Sequence, residues 1–202
     1  MRIVTKLAKI DESVCEGCGN CELVCTAEAI KVSNRLAHVN ESICNGCMNC
    51  FFRCPEYAIK MVDRAEKIKL FVDPNSVDQQ RLREITDKAH VLPEMKICTC
   101  TGTTAGEVAA AIIKGAKSPT DITLATGIRT GCKELCIQPM LRLLEAAGVE
   151  IPKAPGWQWY GIVPAVYDVP KKTRQKFAVF RMQDDVDFVN KLLGEKAAMK
   201  EE

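Results

Sequence analysis

Two stretches, CEGCGNCELVC from Cys15 to Cys25 and CNGCMNCFFRCP from Cys44 to Pro55, place eight cysteines in the first third of a 202-residue chain. Extended outwards, DESVCEGCGNCELVCTAEAIKV (11–32) lies over NESICNGCMNCFFRCPEYAIKM (40–61) without a gap. Roughly half the aligned positions are identical, more than shared cysteines require, so the two halves are an internal repeat. In each copy a CxxCxxC triplet wraps three sulfurs around one small object, and a fourth must arrive from elsewhere. Four thiolates around a compact centre are what a cubane iron-sulfur cluster needs. Gly17 and Gly46 stand between the first two sulfurs, where a tightly wound loop wants a residue without Cβ. Pro55, after the last cysteine, is placed to open a helix.

These motifs resemble the bacterial-type dicluster ferredoxins over about the first 62 residues. The resemblance implies that the fourth cysteine of each motif serves the other centre. One 4Fe-4S cluster is then held by Cys15, Cys18, Cys21 and Cys54, and the second by Cys44, Cys47, Cys50 and Cys25. It also implies two short hairpins and two short helices about a pseudo-twofold axis. Thr26 departs from the pattern by standing where the repeat and the family have proline, which loosens the expected helix start and removes no ligand. Structural zinc and disulfides are the competing uses of eight cysteines. Zinc usually takes two separated pairs, not triplets with a distant fourth. Disulfides need an oxidising compartment, whereas the opening MRIVTKLAKIDES has no apolar signal-peptide core. A domain of about 60 residues also buries too little apolar surface to be safely stable alone, a deficit that metal-thiolate bonds make up.

Charge bounds the rest. With 28 Lys and Arg against 26 Asp and Glu, the net charge of +2 gives no field that argues for nucleic acid or a membrane surface. The longest apolar run, near Val108 to Ile113, falls far short of the roughly 20 residues that a bilayer demands, so no membrane span is expected. Reduced thiols and oxygen-sensitive clusters point to a cytoplasmic location, in an anaerobe or facultative microbe.

After residue 62 comes AEKIKLFVDPNSVDQQRLREITDKAHVLPEM, which reads as a strand (Lys67 to Val72), a turn, and a helix (Ser76 to His90) with Val77, Leu82 and Ile85 apolar. It lacks the Gly and Ser of a free linker, so it is expected to pack. A second constellation follows: Cys98 and Cys100, 31 intervening residues, then Cys132 and Cys136. Four thiolates in two close pairs suit a two-iron cluster. Between them, Val108, Ile112 and Ile113 share a helix face that ends at Gly115. Ser118 with Asp121 caps a second helix closed by Gly127, and a third runs from Lys133 to Ala147.

Residues 95–147, with the CTC pair, GEVAAAIIKGAKS and ATGIRTGC, resemble the helical 2Fe-2S module of bacterioferritin-associated ferredoxin (BFD). The resemblance implies a 2Fe-2S cluster on Cys98, Cys100, Cys132 and Cys136. Its last pair departs from the family, CKELC in place of CxxC. The extra residue either reorients Cys136, shifts the cluster potential, or leaves Cys136 outside the set. Zinc on the same four thiolates and a cluster-assembly or metallochaperone site are the alternatives. A thioredoxin-like 2Fe-2S fold ranks low because its first cysteine pair is more widely spaced.

In the C-terminal stretch, APGWQWYGIVPAVYDVP and RQKFAVFRM read as strands around a Lys171-Lys172 turn, before a helix from about Asp184 to Lys200. Trp157, Trp159, Tyr160 and Tyr167 crowd here, as core packing or as a docking surface. There is no GxGxxG and no phosphate-binding Walker loop. His38 and His90, the only histidines, read as surface or packing residues, and no catalytic site is evident. The expected fold class is α+β. A dicluster module (1–62) leads through a connector (63–94) to a small helical BFD-like domain (95–150) and an α+β docking extension (151–202). The expected function is an electron-transfer subunit beside a flavin-, molybdenum- or tungsten-containing oxidoreductase partner, and the alternative is a metallochaperone or iron-sulfur assembly factor.

Overall fold

A computed structural model of the chain describes residues 1–154 and 159–198. Trp157, one of the expected aromatic cluster, lies outside the described residues. The architecture is α+β, with small antiparallel sheets at the N-terminal end and helices beyond them.

Strand β1 (Arg2–Ile10) pairs with β4 (Ile59–Leu70), from Ile10 opposite Ile59 to Arg2 opposite Leu70, with a register shift between Val4 and Lys6. Inside that frame the repeat folds twice in the same way. Each CxxCxxC loop runs into a short helix, α1 (Asn20–Leu23) or α2 (Asn49–Arg53). Strands β2 (Ile30–Ser33) and β3 (Leu36–Val39) form the counterpart of the β4–β1 pair. Of the two hairpins expected, only β2–β3 is local. The other pair joins the two ends of the repeat, which closes the module on itself.

Neither Pro55 nor Thr26 opens a helix. The chain turns instead, with Glu28 and Tyr57 at equivalent positions in the left-handed region (φ 51° and 54°). The amides of Ala29 and Ala58 then donate to Cys25 Sγ and Cys54 Sγ at 3.2 and 3.3 Å, so sulfur takes up donors that would otherwise need a helical carbonyl. The glycine expectation is met at both loops. Gly17 has φ 68°, and a Cβ there would lie 2.4 Å from the carbonyl carbon of Arg35; Gly46 has φ 56°, and its Cβ would lie 2.3 Å from the Lys6 oxygen.

The segment after residue 62 is shared between two cores. Its strand is the continuation of β4, so it belongs to the ferredoxin-side sheet. Its helix α3 (Gln79–Lys88), capped by Asp78 on the Arg81 amide at 2.7 Å, buries Leu82 and Ile85 in the helical unit. That unit adds a two-strand ribbon, β5 (Lys96–Cys98) with β6 (Thr103–Thr104), and helices α4 (Ala105–Ile113), α5 (Pro119–Thr126) and α6 (Ile137–Ala146). Thr104 and Glu107 form a reciprocal capping box at α4, Ser118 caps α5, and Gly127 closes α5 at φ 77°. Helix α4 is buried from Ala105 to Ile112, because its run of alanines lets α3, α5 and α6 approach on all sides. Ile122, Met140, Leu141, Leu143 and Leu144 complete this core.

Two expectations are corrected. The third helix begins at Ile137, four residues later than Lys133, because Lys133 has φ 66°, which a right-handed helix excludes. The C-terminal stretch forms no strand among the described residues. Val166–Asp168 is a 3-10 turn, Lys171–Lys176 is helix α7, Ala178–Phe180 is a second turn, and Met182–Ala198 is helix α8. Pro164 and Pro170 remove two ladder donors from the segment; backbone groups between them bond locally or to Arg174, and those just before Pro164 bond to α6. Gln138 receives the Val163 amide at 2.8 Å, and Arg142 donates to the Val163 carbonyl and to Asp168, both at 2.6 Å. Trp159 is buried in the helical core, and Tyr167 stacks on His90 with ring centroids 4.1 Å apart, whereas Tyr160 is 72% exposed.

The left-handed glycines separate strain from collision. Gly46→Ala adds both, and is expected to lower stability by about 2 kcal/mol or more. Gly19→Ala has a similar φ of 80° but meets nothing within 4 Å, so it should cost about 1 kcal/mol. Anaerobic denaturant titrations of the two variants, followed by loss of visible absorbance, check the order.

Candidate functional site

The loops of the ferredoxin-side unit enclose two small cavities, and the division of cysteines between them is crossed. One is lined by Cys15, Cys18, Cys21 and Cys54, and the other by Cys25, Cys44, Cys47 and Cys50. The two spaces are small and of similar size, in keeping with the repeat. Helix α1 carries the crossing in one direction, with Cys21 facing the first cavity and Cys25, just past its end, the second. Helix α2 does the reverse with Cys50 and Cys54. Apolar side chains wall both spaces, Ile10 and Ile59 at the first and Ile30 and Met61 at the second.

The two sets differ in exposure. Cys25, Cys44 and Cys50 are buried and Cys47 is half-buried, whereas in the first set Cys18 is exposed and only Cys21 is buried. Burial drives the Cys50 thiol up to about 12, with the charges of Cys47, Cys25 and Cys44 adding to it. Burial likewise lifts Cys21 to about 11 and raises Cys25. Converging sulfurs that resist deprotonation make a poor anionic cluster by themselves. A bound metal centre would supply the positive charge that four adjacent thiolates need.

Cys98, Cys100, Cys132 and Cys136 also come together. Cys98 sits at the end of β5, Cys100 follows in the β5–β6 turn, Cys132 lies in the loop after α5, and Cys136 caps α6. A hydrogen bond with Cys136 holds Cys98 down at about 5, and the same bond, with burial, pushes Cys136 up. Cys132 is lowered by the amides of Glu134 and Leu135 and by Cys100, and its own amide points to Cys100 Sγ at 3.5 Å. The extra residue of CKELC is therefore absorbed in the loop, where it turns amides onto Cys132 while Cys136 still reaches Cys98. Cys100 and Cys132 are exposed, and Cys98 and Cys136 are buried. Among the described residues no three or more His, Cys, Asp or Glu side chains are drawn close enough to hold a single metal ion.

Sequence patterns missed three neighbours of this site. Gly131 has no room for a side chain, since a Cβ would lie 2.5 Å from Cys100 Cβ and 2.8 Å from its Sγ. Thr101 hydrogen-bonds Cys98 through side chain and backbone. Arg129 is 1% exposed, with its guanidinium over the Trp159 ring at 5.1 Å. A charged residue in ATGIRTGC, between a helix-ending glycine and a cysteine, was the available signal for the last.

The helical unit meets the ferredoxin-side unit beside the buried cysteine set. Asn45 donates to the Thr123 carbonyl at 3.3 Å, Thr120 donates to Glu28 at 2.6 Å, and Arg2 bonds both the Asn45 carbonyl and Thr130. Asn45 follows Cys44, and Glu28 lies three residues past Cys25. Neither His38 nor His90 approaches the cysteines as a lining residue of either cavity.

Residues 96–146 match the family of the BFD-like 2Fe-2S binding domain, and residues 8–31 match the 4Fe-4S binding domain. Neither a curated protein nor a solved structure matches the chain significantly. The two domain matches show a fusion of ferredoxin and BFD-like parts, with binding domains for iron-sulfur clusters of both the 4Fe-4S and 2Fe-2S types.

Gly131→Ala pushes against Cys100 and is expected to remove most of the EPR signal of a two-iron centre, with cubane signals retained. EPR of dithionite-reduced protein over a range of temperatures separates the two classes.

Proposed function

We infer that this fusion of a 4Fe-4S domain with a BFD-like 2Fe-2S domain is an electron-transfer subunit that works beside a catalytic oxidoreductase. The supporting observation is the partition of all 12 cysteines into three groups of four, with none left over. Cys15, Cys18, Cys21 and Cys54 would hold one 4Fe-4S cluster; Cys25, Cys44, Cys47 and Cys50 a second; and Cys98, Cys100, Cys132 and Cys136 a 2Fe-2S cluster. Bound clusters supply one-electron transfer, over a range of potentials of roughly −700 to +450 mV.

The chain's own residues do the rest. Aliphatic walls keep water from the inner sulfurs, and amides at Ala29 and Ala58 stabilise thiolate charge. Exposed Cys18 marks one outer set, and exposed Cys100 and Cys132 the other, so a partner protein has an approach at either end. The buried set lies at the junction between them. Bond chemistry on a substrate would fall to a partner carrying flavin, molybdenum or tungsten. No helix among the described residues is long and apolar enough to cross a membrane; a cytoplasmic site of action is the corresponding proposal.

A metallochaperone or cluster-assembly role is the second possibility for the same domains. It calls for thiols that can receive and release metal, and the exposed pair Cys100 and Cys132 is the feature that favours it.

Anaerobically purified protein should contain about ten irons and about ten acid-labile sulfides per chain, from two cubes and one two-iron centre. About eight irons with one zinc would reduce the carrier to two clusters, and colourless, iron-free protein would overturn the proposal. Copurification of the native chain with a flavin- or molybdenum-containing subunit is expected; isolation of the chain with no oxidoreductase attached would favour the assembly role.

A further inference from the structure

A guanidinium buried at 1% exposure carries a desolvation cost of several kcal/mol unless negative charge faces it. Arg129 has such a position. Its backbone is in the left-handed region (φ 67°), which turns its amide toward the sulfurs of both Cys98 and Cys136. Its side chain runs back between the two units, over Trp159, with Nη1 at 3.5 Å from Thr123 Oγ1. Cys136 and Glu28 are among the anionic groups near enough to act on it. Glu28 is half-buried and already receives the Thr120 hydroxyl, so Arg129 does not have that carboxylate to itself.

We propose that Arg129 holds the potential of the two-iron centre up by keeping a desolvated positive charge beside its thiolates. This rests on the assignment of a 2Fe-2S cluster to Cys98, Cys100, Cys132 and Cys136. Four thiolates and two bridging sulfides outweigh two ferric ions, so the loaded site is negative, and one added electron makes it more so. A nearby cation therefore stabilises the reduced form more than the oxidised form, and in a water-poor setting its effect is weakly screened. The electron comes from an external one-electron donor; no bond is broken and no proton need move. Arg129 is a positioning residue in this sense, since it acts through the thiolates.

The test is an EPR-monitored redox titration of the full chain, recorded at a temperature where cubane signals have broadened away. Wild-type protein is measured first, because absence of a two-iron signal would defeat the cluster assignment and not the role of Arg129. Arg129→Gln is expected to shift the one-electron equilibrium roughly tenfold toward the oxidised form, about 59 mV downward. Arg129→Lys, which keeps the charge, should recover most of that shift. Glu28→Gln should move the potential the other way, because it removes a competing anion, and it provides a reading should the Arg129 variants fail to fold. Potentials unchanged in Arg129→Gln, a fall in Arg129→Lys as large as in Arg129→Gln, or no rise in Glu28→Gln would each overturn the proposal.

Discussion

The structure depends on one exchange. The fourth cysteine of each repeat reaches into the cavity of the other, Cys25 to the space of Cys44, Cys47 and Cys50, and Cys54 to that of Cys15, Cys18 and Cys21. Because of it, neither repeat can complete its sulfur set alone. The short helices α1 and α2, too brief to be stable as isolated helices, are fixed at each end by a cysteine facing a different cavity. The core around them is built from small residues such as Ala8, Ala27, Ala29 and Ala37, which bury little area per side chain. Bonds from iron to sulfur would then carry much of what a larger apolar core carries elsewhere.

The helical unit is held by different means. Its core is a conventional one of Leu, Ile, Met and Val around α4, and it recruits α3 from before its first cysteine and Trp159 from after its last helix. The cysteines sit at the edge of this core on turns, Cys98 and Cys136 inward and Cys100 and Cys132 outward. A stable frame with its reactive sulfurs on one margin allows Cys100 and Cys132 to face solvent without loosening the interior. The same margin meets the other unit, through Thr120, Thr123 and Thr130, on the side of the buried cysteine set.

Much of this was legible in the sequence where the signal was local. The CxxCxxC spacing, the left-handed demand at Gly17 and Gly46, the Ser118 cap and the Gly127 stop are each set by residues within a few positions of one another. What escaped prediction depended on distant contacts. The β1–β4 pair joins residues some 60 positions apart, so a search for hairpins could find only β2–β3. Among its described residues the C-terminal stretch has no partner strand, which composition cannot reveal, and Tyr167 and Trp159 are drawn to His90 and to the helical core instead. Pro55 looked like a helix opener, but the amide three residues on prefers the sulfur of Cys54. Arg129 carries no local signal of burial, because an arginine in a loop is usually solvated and nothing nearby in sequence announces Trp159.

Strand β4 spans 12 residues, from Ile59 beside the first cavity to Leu70, and its pairing with β1 skips Arg64 to Lys67. It is paired with β1 at both its ends, and Leu70, its last residue, lies beside the turn at Gly127, where an added Cβ would come within 3.4 Å of its Cδ1. A tether of that kind joins the two units through paired strand and not through a free linker. If clusters fill both units, traffic between them would be metered by their relative appetites for an electron.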